Sequence, residues 1–214
     1  MIQNALMATK SKLHPDYSSN VFINCPFDGE YDEILHSIQF TIIDCGFIPR
    51  CALEAHDSDD VRIEKILNII NDCKYGIHDI SRTDMDGING LPRFNMPLEL
   101  GMFIGCKKYG GHEKKYLILD TERHRYQKFI SDIAGQDIKA HAGEPEKAIK
   151  AVRNWLQGKS NRTTLDSGSV IHERYVKFQA ALPDICNDMK WNIDELTFID
   201  YFECVKLWLK LITP

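Results

Sequence analysis

Three segments of the chain carry side chains suited to chemistry on a small molecule: Asn24 to Tyr31, His78-Asp79-Ile80-Ser81-Arg82, and Arg93-Phe94-Asn95-Met96-Pro97-Leu98-Glu99-Leu100-Gly101. Glu99 is the most informative single residue. Pro97 belongs in the first turn of a helix, which places Glu99 one turn inside it and close to the crevice. A second reading stands beside this one: with Met96 as N-cap, Glu99 occupies the third helical position, where a carboxylate simply suits the helix dipole. His78 alternates with Asp79 on a strand and reads as a satisfied core histidine. Cys25 has no histidine fixed beside it and reads as a buried structural thiol. Glu54 and His56 are not followed by P-C-x-x-C, so a zinc-deaminase reading fails, and no metal site stands out. The chain has no G-x-G-x-x-G turn, no P-loop and no H-E-x-x-H, which leaves dinucleotide redox binding, Walker-type phosphoryl transfer and zinc proteolysis without support.

These segments need a scaffold to bring them together. With 214 residues, 43% hydrophobic, the chain can bury a substantial core, and a formal charge of −5 offers no basic stripe for nucleic acid. Seven cysteines, scattered and without a C-x-x-C pair, read as reduced thiols of a cytoplasmic protein. No stretch approaches the roughly 20 apolar residues of a membrane span, and Met1 to Ser19 lack a signal-peptide core. Short apolar runs alternate with helical periodicity, the pattern of a parallel sheet with crossover helices. The strands are expected at Val21–Cys25, Phe47–Ala52, Tyr75–Ser81, Tyr116–Asp120 and, weakly, Asp137–His141. A first helix carries Ile34, Leu35, Ile38, Ile42 and Cys45 and stops at Gly46. A second has N-cap candidates Ser58, Asp59 and Asp60 and a buried stripe of Ile63, Ile66, Leu67 and Ile70. A third runs from about Met96 to Lys108, with Gly101 and Gly105 allowing close approach to a neighbour, and a fourth runs from Pro145 to Gly158.

This organisation gives an arm at 1–19, an α/β domain at 20–157, a linker at 158–168 and a helical extension at 169–214. In the extension, Tyr175, Phe178 and Leu182 mark one helix, and Phe198, Phe202, Val205 and Leu209 another. Two such helices cannot form a core alone and must pack on the domain or on another subunit. In an open parallel sheet, ligands bind beyond the carboxyl ends of the strands, where strand order reverses. The three segments above follow the first and third strands and open the next helix, so they should converge on one crevice.

The ordered set of Val21-Phe22-Ile23-Asn24-Cys25-Pro26-Phe27, Asp79-Ile80-Ser81 and Asn95-Met96-Pro97-Leu98-Glu99-Leu100-Gly101 resembles the superfamily joining nucleoside 2-deoxyribosyltransferases and TIR-type NAD glycohydrolases. The similarity covers roughly residues 20 to 110. It implies a flavodoxin-like, TIR-like α/β fold with a five-strand parallel sheet, Glu99 as the catalytic carboxylate at the anomeric carbon, and Asp79 with Ser81 as pocket residues. A carboxylate beside C1′ stabilises or traps an oxocarbenium-like transition state. The nicotinamide of NAD already carries a pyridinium charge, so it departs as a neutral base and needs no proton, whereas a purine needs an acid, and no acid is evident, which favours NAD as substrate.

Around Glu99, Asp79 can accept from ribose hydroxyls or cap the following loop. Arg82 and Arg93 are the nearest candidates for a pyrophosphate, with solvated loop arginines as the alternative. Phe27 and Tyr31 can stack on a base, core packing being the alternative for Phe27. Asp28 and Asn95 are polar pocket candidates, with turn formation and helix capping as alternatives. The resemblance further implies a nucleotide substrate, no resident cofactor, a bacterial anti-phage setting and an activating signal or partner. The tail's exposed-looking aromatics suggest homo-oligomers formed through the C-terminal helices. Two other readings remain: a nucleoside 2-deoxyribosyltransferase, and a non-catalytic nucleotide-sensing or TIR-like adaptor module.

Overall fold

The apolar runs form β1 (Asn20–Asn24), β2 (Ile48–Cys51), β3 (Tyr75–Asp79), β4 (Lys115–Asp120) and β5 (Lys139–Ala140). The helical periodicity around them forms α1 (Asp32–Asp44), α2 (Arg62–Asn71), α3 (Asn95–Tyr109), α4 (Pro145–Lys159), α5 (Gly168–Met189) and α6 (Phe198–Ile212). The computed structural model describes residues 13–54, 61–83, 90, 93–160, 162 and 164–212. All strand pairings are parallel and the order is 2-1-3-4-5, the flavodoxin-like arrangement, with its switch point between β1 and β3.

Strand side chains alternate between two apolar layers. Val21, Ile23, Tyr75, Ile77, Leu117 and Leu119 pack on the α1 and α4 side, while Phe22 meets Ile66, Ile69, Ile70 and Phe103 on the α2 and α3 side. Gly76 permits that second contact, because a Cβ there would lie 2.7 Å from both His78 Nε2 and the Phe103 ring. Gly101 and Gly105 do not do what their spacing suggests: a Cβ on either would meet nothing within 4 Å. They face away from the sheet.

In α2 the buried residues are Ile66, Ile69 and Ile70, while Ile63 and Leu67 are 36% and 40% exposed, so the expected stripe is rotated by part of a turn. The physical reason lies in Phe22 and Phe103, which offer their surface to the face carrying Ile69. The proposed N-caps Ser58, Asp59 and Asp60 lie outside the described residues. Near the far end of α2, the buried Lys114 donates to the carbonyls of Ile70 and Cys73, each at 2.6 Å, placing a cation on the negative end of the helix dipole. Gly46 ends α1 at φ +75°, as its sequence position suggests.

The C-terminal helices close onto α1 and share its core. Phe40 of α1 lies 5.5 Å from Phe178 of α5, and Phe178 lies 5.7 Å from Trp208 of α6, ring centre to ring centre. Gln39 Nε2 donates to Phe198 O at 2.9 Å, and Arg174 grips both carboxylate oxygens of Asp44 at 2.7 Å. Tyr175, Phe178, Phe198 and Trp208 are therefore buried, which removes the exposed aromatics that suggested an assembly surface. Among the described residues, no helix is long and apolar enough to cross a membrane.

Because one core spans domain and tail, Phe178→Ala should lower global stability by about 3–5 kcal/mol. Far-UV circular dichroism and tryptophan fluorescence should report one coincident transition in denaturant. Two separated transitions would show that the tail folds independently.

Candidate active site at the carboxyl edge of the sheet

The loops after β1 and β3 and the start of α3 meet at the switch point, as the topology requires. Asn24, the last residue of β1, is buried and donates from Nδ2 to His78 Nδ1 at 3.0 Å and to Met96 O at 2.8 Å. This one amide ties β1 to β3 and sets the first turn of α3. Since Nδ1 accepts, the His78 proton resides on Nε2, which is buried without a hydrogen-bond partner beside Phe103. His78 is thus a core histidine satisfied at one nitrogen. Burial pushes its pKa down to about 3, which keeps it neutral.

Glu99 sits deeper in α3 than its sequence position suggests. The N-cap is Phe94 and the helix opens at Asn95, so Glu99 is the fifth helical residue and the first turn holds no acidic side chain. The capping and dipole explanation, which needed Met96 as N-cap, does not apply. Glu99 is 8% exposed and, among the described residues, makes no hydrogen bond or ion pair. Burial pushes its pKa up to about 7, with the positive charge of Arg62 opposing only in part. The nearby thiols are poor nucleophiles: burial raises Cys25 well above the ordinary thiol value and pushes Cys51 up to about 12, with Glu99 adding to both. Cys25 also feels the charge of Asp79, so the two carboxyl groups flank the end of β1.

Asp79 and Glu99 belong to opposite layers. Asp79 turns toward α1 and is fully buried, its Oδ1 accepting from Ser81 N at 2.8 Å and its Oδ2 lying 2.9 Å from His141 Nε2. Gly143 N donates to His141 Nδ1 at 3.0 Å, so the proton of that ring is on Nε2, facing Asp79. The approach is off the axis of a good hydrogen bond and is a close polar contact between the ring N–H and the carboxylate. Burial alone would raise the Asp79 carboxyl, but His141, Ser81 and the Tyr31 hydroxyl together hold it below the ordinary carboxylate range. Tyr31 is buried with its ring edge-on to His141, so it is not an open stacking platform. Asp79, Ser81 and Tyr31 therefore brace the strand ends rather than line an open pocket.

The neighbouring strand end is braced in the same way. Arg125 donates to Asp120 Oδ1 at 2.8 Å and to the carbonyls of Ile80 and Ser81 at 2.9 and 2.7 Å. Sequence reasoning did not single out His141, Arg125 or Asp120. The position of Asp120 at the end of β4 and of His141 just after β5 was the available signal.

At the exposed rim, Asp28 gathers two guanidinium groups: Arg82 lies 3.0 Å from its Oδ1 and Arg93 lies 3.6 Å from its Oδ2. Arg82 also pairs with Glu30. Phe27 is half-buried against the main core, and Asn95 is exposed at the first position of α3 without acting as its cap. The structure thus joins Asp28, Arg82 and Arg93 in one cluster, keeps Asp79 with Ser81 and Tyr31 in another, and leaves Glu99 apart from both.

The two carboxyl groups should have opposite signatures in stability against pH. Folding raises the Glu99 pKa from 4.5 to about 7, so the folded state is penalised progressively as pH rises through that window. Glu99→Gln should then stabilise the protein above pH 7, by on the order of 3 kcal/mol, and change little near pH 4.5. Folding lowers the Asp79 pKa, so its contribution is complete above about pH 4 and is lost as pH falls through its lower folded value. Asp79→Asn should destabilise by about 1–3 kcal/mol at neutral pH and flatten the acid limb. Denaturant titrations at pH 4.5, 6 and 8 measure both effects, and a Glu99→Gln protein weaker than the parent at pH 8 would contradict the unpaired assignment. No protein-family model and no curated protein matches this chain, so the chemistry of the site rests on its own residues.

Proposed function

We propose that the protein cleaves the N-glycosidic bond of a nucleotide, hydrolysing NAD to nicotinamide and ADP-ribose, with Glu99 as the catalytic carboxylate. The observation that carries this reading is a buried acidic side chain with no partner among the described residues, at the edge where this topology binds ligands. Among the described residues such a group has no paired positive charge, Arg62 compensating it only in part. The nicotinamide riboside portion of NAD supplies one, first on the pyridinium and then on the sugar ring as the C1′–N bond breaks. The bonding pair leaves with the pyridine nitrogen, water adds its oxygen at C1′, and one proton is released. Glu99 stabilises the ring cation directly or captures it before water arrives.

The rim cluster supports the same substrate. Asp28 holds Arg82 and Arg93 next to one another, pre-positioning two guanidinium groups for a pyrophosphate, and half-buried Phe27 offers an apolar edge. Asp79 and Ser81 contribute by fixing the strand ends. The resemblance of the three segments to TIR-type NAD glycohydrolases supports a bacterial anti-phage effector as the setting, with activity controlled by assembly or a signal.

Purified protein incubated with NAD over a range of protein concentrations should release nicotinamide, measured by chromatography. Glu99→Gln should lower the rate at least about 100-fold. The rate should rise with pH through about 7, where burial places the ionisation of Glu99. Transfer of a deoxyribosyl group to an added base, without NAD turnover, would instead identify a deoxyribosyltransferase. Nucleotide binding without turnover, unchanged in Glu99→Gln, would identify a sensing module.

A further inference from the structure

The C-terminal helices do more than cover α1. Where the chain passes from α5 to α6 across the first turns of α1, it borders a half-open cavity of about 440 Å³. That volume lies within the roughly 300–1,000 Å³ of small-molecule sites. Leu53, Leu182 and Phe198 supply apolar wall, and one side is aromatic: His36 stacks on Tyr201 with ring centres 4.2 Å apart and planes within 9°.

The polar groups lining it are biased toward acceptors. Gln39 is almost fully buried, and its Nε2 is committed to Phe198 O at 2.9 Å, which pins the amide orientation and leaves its carbonyl oxygen without a partner among the described residues. Gln179 Nε2 is likewise engaged, with the Tyr201 hydroxyl at 3.2 Å. Asp32 and Asp194 add two carboxylates that form no ion pair among the described residues. Among the described residues, neither lysine nor arginine lines the cavity. Such a lining disfavours anions and calls for a ligand that donates hydrogen bonds and presents a flat apolar face.

We propose that this cavity is a second binding site, separate from Glu99, for a neutral or cationic amino-bearing aromatic ring of nucleoside size that carries no phosphate. The ring lies among the leucines and the His36–Tyr201 pair, and its amino group donates to the glutamine carbonyls or to Asp32 and Asp194. The site gives residues 168–212 a binding role in addition to their part in the core.

Isothermal titration calorimetry with adenosine, cytidine and 4-aminopyridine as probes, and adenosine monophosphate as the charged control, tests the assignment. At least one of the three probes should bind saturably at one per chain, and the monophosphate should bind at least tenfold more weakly than adenosine. Asp32→Asn with Asp194→Asn should narrow that gap. Leu53→Trp, which fills the cavity from a half-buried position, should abolish binding. If its unfolding transition is altered, Gln179→Leu serves instead and should weaken binding at least fivefold. Glu99→Gln should bind like the parent, which separates failure here from failure of the glycosidase reading. The assignment is overturned if none of the three probes binds, if the monophosphate binds as well as adenosine, or if binding survives both cavity variants.

Discussion

Three chain segments meet at the Asp79 carboxylate. It ends β3, accepts from the backbone beyond that strand, faces His141 after β5, and lies against Tyr31 at the start of α1. A charge so completely buried is tolerable only when its surroundings supply compensating contacts, so its neighbours have little freedom to rearrange. Asn24 does comparable work on the other side of the sheet, using one neutral amide to join β1, β3 and the first turn of α3. These two buried polar centres define the edge at which the strands release their loops. Arg125 extends the bracing to β4.

Against that fixed frame, Glu99 stands out because it is buried and, among the described residues, has only the partial compensation of the Arg62 charge. Asp79 and Glu99 are acidic residues at the same edge of the sheet, yet burial is overcome by contacts in the first and dominates in the second. A carboxyl group left with an elevated pKa is a local loss of stability maintained beside a region that is otherwise carefully paired. Groups in that condition concentrate at sites where charge is needed only during a reaction or on binding. The contrast between the two carboxyls is what separates the brace from the candidate catalyst.

The cavity beneath the tail follows from a different constraint. Two amphipathic helices had to find apolar surface, and α1 offered it through Phe40 and its neighbours. Closing over the amino-terminal turns of α1 also brought buried Gln39 and half-buried His36 opposite half-buried Gln179, which places polar groups in an otherwise apolar seam, with the exposed Asp32 and Asp194 beside them. Packing of the tail and formation of the cavity are one event.

The strand positions and their alternation with helices were legible from local patterns, because continuous apolar runs and helical periodicity are properties of neighbouring residues, while the flavodoxin-like arrangement was implied only by the resemblance of the three segments. The convergence of the three chemical segments followed from topology alone. The face of α2 was not legible: Ile63, Ile66, Leu67, Ile69 and Ile70 fit two overlapping stripes, and contact with Phe22 and Phe103 chose between them. Nor was the depth of Glu99, since a helix starting at Asn95 instead of Met96 moves that carboxylate out of the first turn. The amino-acid sequence determined which carboxylates reach the sheet's edge; only the tertiary structure decided that Asp79 would be paired and Glu99 left without a partner among the described residues. Pairing depends on partners such as His141, brought close by the sheet from far along the chain, and on the amount of water each group loses when the layers close.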